Sequence, residues 1–322
     1  MDAAGAKSCV RRWIGGLSAS AAVASAAVGV LAAAAQADHA RPAVSWALDR
    51  INQRQLPLDG KVDHEGTGTG VTIYIIDTGV RSSHPDLAGR VTAIGDFFAA
   101  DPGTNVDDCA APDGHGTLNA SLAAGTRFGV APRARVAVLK AAGGDRCEGT
   151  ATATERAVDW ITANAQAPAV VNISFRFDAG SLNAAIHRSI AAGFLYTLSA
   201  GTAGEVTRYW GAQLPGEAVI VAGTDRTDRA MRADYGPRLT LFAPAVAVTG
   251  AGTRDDGAGW TPTRAQSGDS YAAPLAAGAA ALYVERHPGA TPRDIRAALL
   301  AAATPGVVTN PGASPNRMLF VP

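Results

Sequence analysis

The sequence predicts an α/β fold: an open, mostly parallel sheet with helices on both faces. Three observations carry that expectation. Short apolar runs alternate with segments of helical periodicity. Those runs lack the in–out alternation of a half-exposed sheet, as strands covered on both faces do. The 322 residues are 47% hydrophobic and 17% charged with 36 glycines, enough for a large core and many tight turns, and this excludes a disordered chain.

In chain order, strands are expected at residues 71–76, 136–139, 169–173, 194–198, 218–222 and 239–242, most of them bounded by Gly, Asp, Ser or Pro. Helices are expected at residues 117–124, 150–163, 181–192, 270–286 and 291–302. Thr291-Pro292 with Asp294 is a helix start signal, and Pro305-Gly306 is a stop. In sheets of this kind the functional residues gather beyond the carboxyl ends of the strands.

The first forty residues read as an address. Lys7, Arg11 and Arg12 precede an apolar run from Trp13 to Ala35 that closes on Ala35-Gln36-Ala37, the three parts of a secretory signal peptide. The alternative is a retained anchor, but Ala, Ser and Gly partition weakly into lipid. Arg11-Arg12 before Trp13-Ile14 resembles a twin-arginine signal. Residues 1–37 are thus expected to be removed, leaving 38–322 as one domain, secreted or periplasmic and free of the membrane. Cleavage takes Cys9 away and leaves Cys109 and Cys147, which in an oxidising compartment read as a bridge, or else as two separate thiols. Closing a loop of roughly 38 residues stabilises by about 3–4 kcal/mol on a chain-entropy argument. Lys+Arg and Asp+Glu are 28 each, a balance that argues against a nucleic-acid partner.

Three segments carry candidate chemistry. Ile73-Tyr74-Ile75-Ile76-Asp77-Thr78-Gly79 is a buried strand ending in a carboxylate, or a simple turn Asp. Asp113-Gly114-His115-Gly116-Thr117 places a histidine at a helix start, where the dipole disfavours a cationic imidazole and leaves it able to accept a proton, unless it is a mere turn residue. Ser267-Gly268-Asp269-Ser270-Tyr271 opens a small-residue helix, with Ser270 either a cap or a nucleophile. Acyl transfer needs a hydroxyl, a neutral imidazole and an orienting carboxylate, and the order Asp77…His115…Ser270 is that of subtilisin, not of the α/β-hydrolases.

On these residues the chain resembles the subtilases, subtilisin-type serine endopeptidases, and among them the proteinase K and aqualysin branch. Trp46-Ala47-Leu48-Asp49-Arg50-Ile51, Tyr235-Gly236, Phe242-Ala243-Pro244 and Ser314-Pro315-Asn316-Arg317 extend the resemblance over nearly the whole mature chain. It implies that Asp77 orients the imidazole, His115 is the base and Ser270 the nucleophile. It also implies that Cys109 pairs with Cys147, that the substrate is a peptide or protein, and that the fold is subtilisin-like. The enzyme is expected to be a monomer.

Departures from the family pattern point to weakened turnover. After Ser199-Ala200-Gly201 the family's oxyanion Asn is replaced by Thr202, and losing that donor costs on the order of 10²–10³ in turnover in subtilisin, a member of the family resembled. Asp269 adjoins the nucleophile, where its carboxylate either opposes the oxyanion or caps the helix. The substrate strand's Ser-Leu-Gly-Gly is Ser174-Phe175-Arg176-Phe177, so Arg176 either narrows the pocket, favours an acidic residue or swings into solvent. Leu118-Asn119-Ala120 replaces His-Val-Ala after Thr117. Expected calcium ligands are eroded: Thr240 stands for an Asp, and Asn52 accompanies Asp49 and Gln53 in place of a carboxylate, so calcium is possible but no metal is assigned. The residues from Asp38 to Val71 already resemble mature enzyme, so no inhibitory prodomain is expected in cis. The alternative to a protease is therefore a subtilase-fold binder of peptides or proteins that has lost turnover.

Overall fold

The computed structural model describes residues 41–99, 103–110, 114–177, 180–201, 210, 216–231, 236–255 and 260–322. The expected signal segment lies outside these residues, as do Asp113, Thr202 and Tyr235. In chain order the first elements are β1 (Arg41–Pro42), α1 (Trp46–Ile51), β2 (Lys61–Val62), β3 (Thr72–Asp77), β4 (Val91–Asp96), α2 (His115–Ala124) and β5 (Arg135–Lys140). There follow β6 (Ala142–Gly143), β7 (Glu148–Gly149), α3 (Ala151–Asn164), β8 (Ala169–Ile173), α4 (Gly180–Ala191), β9 (Phe194–Ser199) and β10 (Val219–Thr224). The chain closes with β11 (Leu241–Pro244), β12 (Val248–Asp255), β13 (Trp260–Gln266), α5 (Ala272–Arg286), α6 (Pro292–Ala302), β14 (Thr304–Pro305) and β15 (Arg317–Met318).

Nine strands form one sheet in the order β14-β15-β11-β10-β9-β8-β3-β5-β4, parallel throughout except for β14 against β15. Successive residues of a strand face opposite sides, so each apolar run feeds two cores. Ile73, Ile75, Val136, Val138, Val170 and Val221 enter one core with α2 and α5. Ile76, Leu139, Val171, Ile173, Tyr196 and Ile220 enter the other with α3 and α4. That is the physical reason these runs are continuously apolar.

The expected strands and helices appear within about two residues of their sequence bounds. Thr150 and Thr291 cap α3 and α6, and Asp294 completes a capping box at Thr291. Helix α6 ends at Ala302, ahead of the Pro305-Gly306 stop, because Thr304–Pro305 pairs with β15. Small residues let α5 run close to its neighbours: a Cβ on Gly278 would lie 2.6 Å from Val130 Cβ and 2.7 Å from the Ala123 carbonyl oxygen.

The sheet order sets the position of the site. From β3 the chain passes to β4 and β5 on one side and then crosses to β8 on the other. The crevice between β3 and β8 is the point where an open α/β sheet presents its binding residues. Ile76 of β3 pairs with Ile173 of β8, so Asp77 and Ser174 stand side by side just beyond that pair.

Candidate active site

Asp77 ends β3 with a side chain fully shielded from solvent, and His115 begins α2 with its side chain 24% exposed. His115 Nδ1 lies 2.6 Å from Asp77 Oδ1. With a carboxylate at Nδ1, that nitrogen carries the proton and donates, leaving Nε2 with a lone pair toward the cleft. The carboxylate is held on both oxygens: Thr78 N–H donates to Oδ1 at 2.7 Å and Asn119 Nδ2 donates to Oδ2 at 2.9 Å. Asn119 lies four residues past His115 on the same helix face. Sequence reading took it only as a departure, and its i+4 spacing from the histidine was the available signal.

The glycines around His115 have steric reasons. Gly114 adopts φ 68° as the N-cap of α2. A Cβ on Gly116 would run into the Gly79 carbonyl and lie 3.0 Å from Asp77 Cβ, so only a bare backbone lets α2 start against the end of β3.

The imidazole pKa is raised, where its place at a helix start led the sequence to suggest a lowered one. Burial pushes its pKa down, but the charge and hydrogen bond of Asp77, with the charge of Asp108, outweigh burial and raise it.

Ser270 sits in a short 3₁₀ turn, Asp269–Tyr271, that leads into α5. It does not cap a helix with its side chain: its Oγ donates to the Ser174 carbonyl at 3.2 Å, while Ser174 Oγ donates to the Ser270 carbonyl at 2.8 Å. Asn172 Nδ2 supports Ser174 Oγ at 3.0 Å. The residues following these two serines enclose the imidazole. The Phe175 ring lies parallel to it with centroids 5.9 Å apart, and Tyr271 is tilted against it at 5.7 Å. Thus Asp77 and His115 are joined directly, and Ser270 lies on the turn whose Tyr271 packs against the imidazole, with its hydroxyl turned to Ser174.

The side chain of Asp269 faces the sheet. Its Oδ1 accepts from Gly223 N–H of β10 at 2.7 Å, so this oxygen is turned to the sheet, as the alternative of a carboxylate pointing away from the oxyanion expects, with β10 as its partner. Arg176 is half-buried and does not extend freely into solvent. Ser199, Ala200 and Gly201 lie at the end of β9 beside Ser174, with Ala200 N–H bonded to the Val221 carbonyl and the Ser199 carbonyl accepting from Trp210 Nε1 at 2.7 Å. Cys109 and Cys147 are joined, with Cα atoms 5.5 Å apart.

The residues at which calcium ligands were expected are engaged in hydrogen bonds. Thr240 Oγ1 accepts from Ile220 N–H at 3.1 Å. Near α1, Asp49 Oδ2 accepts from Gly60 N–H, Gln53 Oε1 from Asp59 N–H and Asn52 Oδ1 from Asp63 N–H, and Asp49 Oδ1 alone is buried without a hydrogen bond. Among the described residues no three His, Cys, Asp or Glu side chains are grouped so that they could hold a metal ion, and no helix is long and apolar enough to cross a membrane.

A family model described as the subtilase family matches residues 68–318. The chain is 39% identical over 284 residues to an extracellular serine proteinase of Thermus sp. (strain Rt41A), covering 86% of this chain and 66% of that one. It is 33% identical over 280 residues to alkaline serine exoprotease A of Vibrio alginolyticus, covering 85% of this chain and 50% of the relative. The chain therefore spans about half to two thirds of the length of these relatives. The crystal structure of a cold adapted subtilisin-like serine proteinase superposes with a TM-score of 0.79 at 31% identity, covering 88% of this chain and 99% of that one.

Proposed function

The chain belongs to the subtilase family, and from that premise we propose that it is a secreted serine endopeptidase that hydrolyses peptide bonds through an acyl-enzyme on Ser270. The observation that carries the reading is the 2.6 Å bond between His115 Nδ1 and Asp77, with Ser270 on the adjoining turn.

In the proposed reaction Ser270 Oγ leaves the Ser174 carbonyl and donates to His115 Nε2, a bond that unliganded sites commonly make only when substrate is present. His115 takes the proton as Oγ attacks the scissile carbonyl. Asp77 stabilises the imidazolium without taking its proton. The imidazolium then protonates the leaving amine, and water, activated by the same histidine, releases the acyl group. Backbone N–H of Ser270 and the hydroxyl of Thr202 receive the oxyanion in this reading. Ser174, Phe175, Arg176, Ser199, Ala200 and Gly201 line the peptide's path, and no metal takes part in the proposed site. Calcium takes six to eight oxygens with several charged ligands, and among Asp49, Asn52 and Gln53 only Asp49 supplies a carboxylate, so the site offers little charge for it.

A second reading, a peptide or protein binder without turnover, draws on one observation: the Phe175 ring lies flat beside the imidazole with Ser270 turned to Ser174. Casein and peptide digestion by wild type and Ser270→Ala separates the two. The endopeptidase reading expects hydrolysis by wild type and its loss in the variant, while equal rates in both would sink it.

A further inference from the structure

Asp108 is a second buried carboxylate at the site, and no step above uses it. It is 5% exposed. Its Oδ1 accepts from Thr78 Oγ1 at 2.7 Å and Ala110 N–H at 3.0 Å. Its Oδ2 accepts from Thr117 N–H at 2.7 Å and Thr117 Oγ1 at 2.6 Å. Each of those hydroxyls also accepts a backbone N–H, Thr78 Oγ1 from Gly116 at 2.9 Å and Thr117 Oγ1 from Arg81 at 2.9 Å. Both hydroxyl protons therefore point to Asp108, and four donors converge on two oxygens, the pattern of an ionised carboxylate.

The placement is what gives this network consequence. Thr78 follows Asp77, while Gly116 and Thr117 follow His115, so one carboxylate ties together the chain neighbours of both members of the hydrogen-bonded pair. Its own neighbour is fastened too: Cys109 N–H donates to the Thr78 carbonyl at 3.2 Å, and Cys109 is bridged to Cys147.

We propose that Asp108 is a positioning residue of the hydrolytic site: it locks the end of β3 to the first turn of α2 and sets a buried carboxylate within hydrogen-bond reach of the residues that flank Asp77 and His115. The proposal rests on the endopeptidase reading for its kinetic consequence only. Around His115 the structure places Asp77 from β3, Asp108 from the segment before α2, Asn119 from its own helix, Phe175 from the loop after β8 and Tyr271 from the turn before α5. Of these, Asp77 and Asp108 are the carboxylates, and Tyr271 is a phenol. Burial raises the pKa of Asp108 against the pull of its hydrogen bonds, so on acidification the charge is lost sooner than from an exposed Asp.

The test is Asp108→Asn, read by NMR titration of the His115 ring and by kcat and KM across pH. Removing the negative charge should lower the imidazole pKa and move the acid limb of kcat/KM down with it. Loss of alignment should lower kcat about tenfold with KM within about twofold. Thr78→Val keeps the charge but cuts a bridge, so kcat should fall severalfold while the imidazole pKa holds. A folded Asp108→Asn protein with unchanged His115 titration and unchanged kcat overturns the proposal. Should that variant not fold, Thr78→Val decides, and an unchanged kcat there overturns it. The ring titration is read without turnover, so an inactive wild type counts against the endopeptidase reading and leaves the electrostatic part of this inference on its own footing.

Discussion

The two sides of the cleft are built on different terms. On the β3–α2 side every contact serves alignment: both oxygens of Asp77 are filled, His115 is bonded to one of them, and Asp108 ties the flanking residues together. On the β8–α5 side the groups that would meet a peptide are bulky. Phe175 lies beside the imidazole, Arg176 is half-buried, Tyr271 adjoins the nucleophile, and Ser270 is bonded to Ser174. The contrast teaches that the proton-handling side is preorganised in this chain, whereas the side that would meet a peptide is crowded by bulky side chains and holds the Ser270 hydroxyl on Ser174.

That contrast can be broken at several points. Asp77→Asn should cost most, about 10⁴-fold in kcat, because an amide cannot fix the imidazole in the right tautomer. Steady-state peptide hydrolysis measures it, and a loss under tenfold would mean that the aligned side does not limit proton transfer. Thr202→Asn supplies a longer donor for the oxyanion and should raise kcat ten- to a hundredfold; an unchanged rate in a folded variant removes Thr202 from the oxyanion role. Arg176→Gly should raise kcat/KM about tenfold by returning bare backbone to the peptide's path, and no change would place Arg176 outside that path. Smallest for chemistry, Cys147→Ser should lower Tm by roughly 10 °C through the lost loop constraint, with scanning calorimetry as the check.

Much of this architecture was legible in the sequence because parallel strands covered on both faces must be apolar at every position. Residues 169–173 were found at their true bounds for that reason. Strand β4 was not, since Val91-Thr92-Ala93-Ile94 lies at the sheet edge and is largely exposed. The β12–β13 hairpin mixes Thr, Gly and Arg and offers no continuous run. Helix α1 is six residues long, too short to show a period.

The site divides in the same way. Asp77 and His115 were readable because strand end and helix start are local patterns. The side-chain direction of Asp269, the Phe175–His115 stack and the grip of Asp108 on Thr78 and Thr117 depend on contacts between distant segments. The direction of the histidine shift has the same origin: the helix dipole is a local argument, whereas the charges that raise the imidazole pKa come from Asp77 and Asp108.

The most direct measurement is fluorophosphonate labelling followed by mass mapping of the adduct, on wild type and His115→Ala. The account predicts one adduct, on the peptide containing Ser270, formed by wild type and lost when the imidazole is removed. Labelling at another serine, or equal labelling of Ser270 in both proteins, would contradict it.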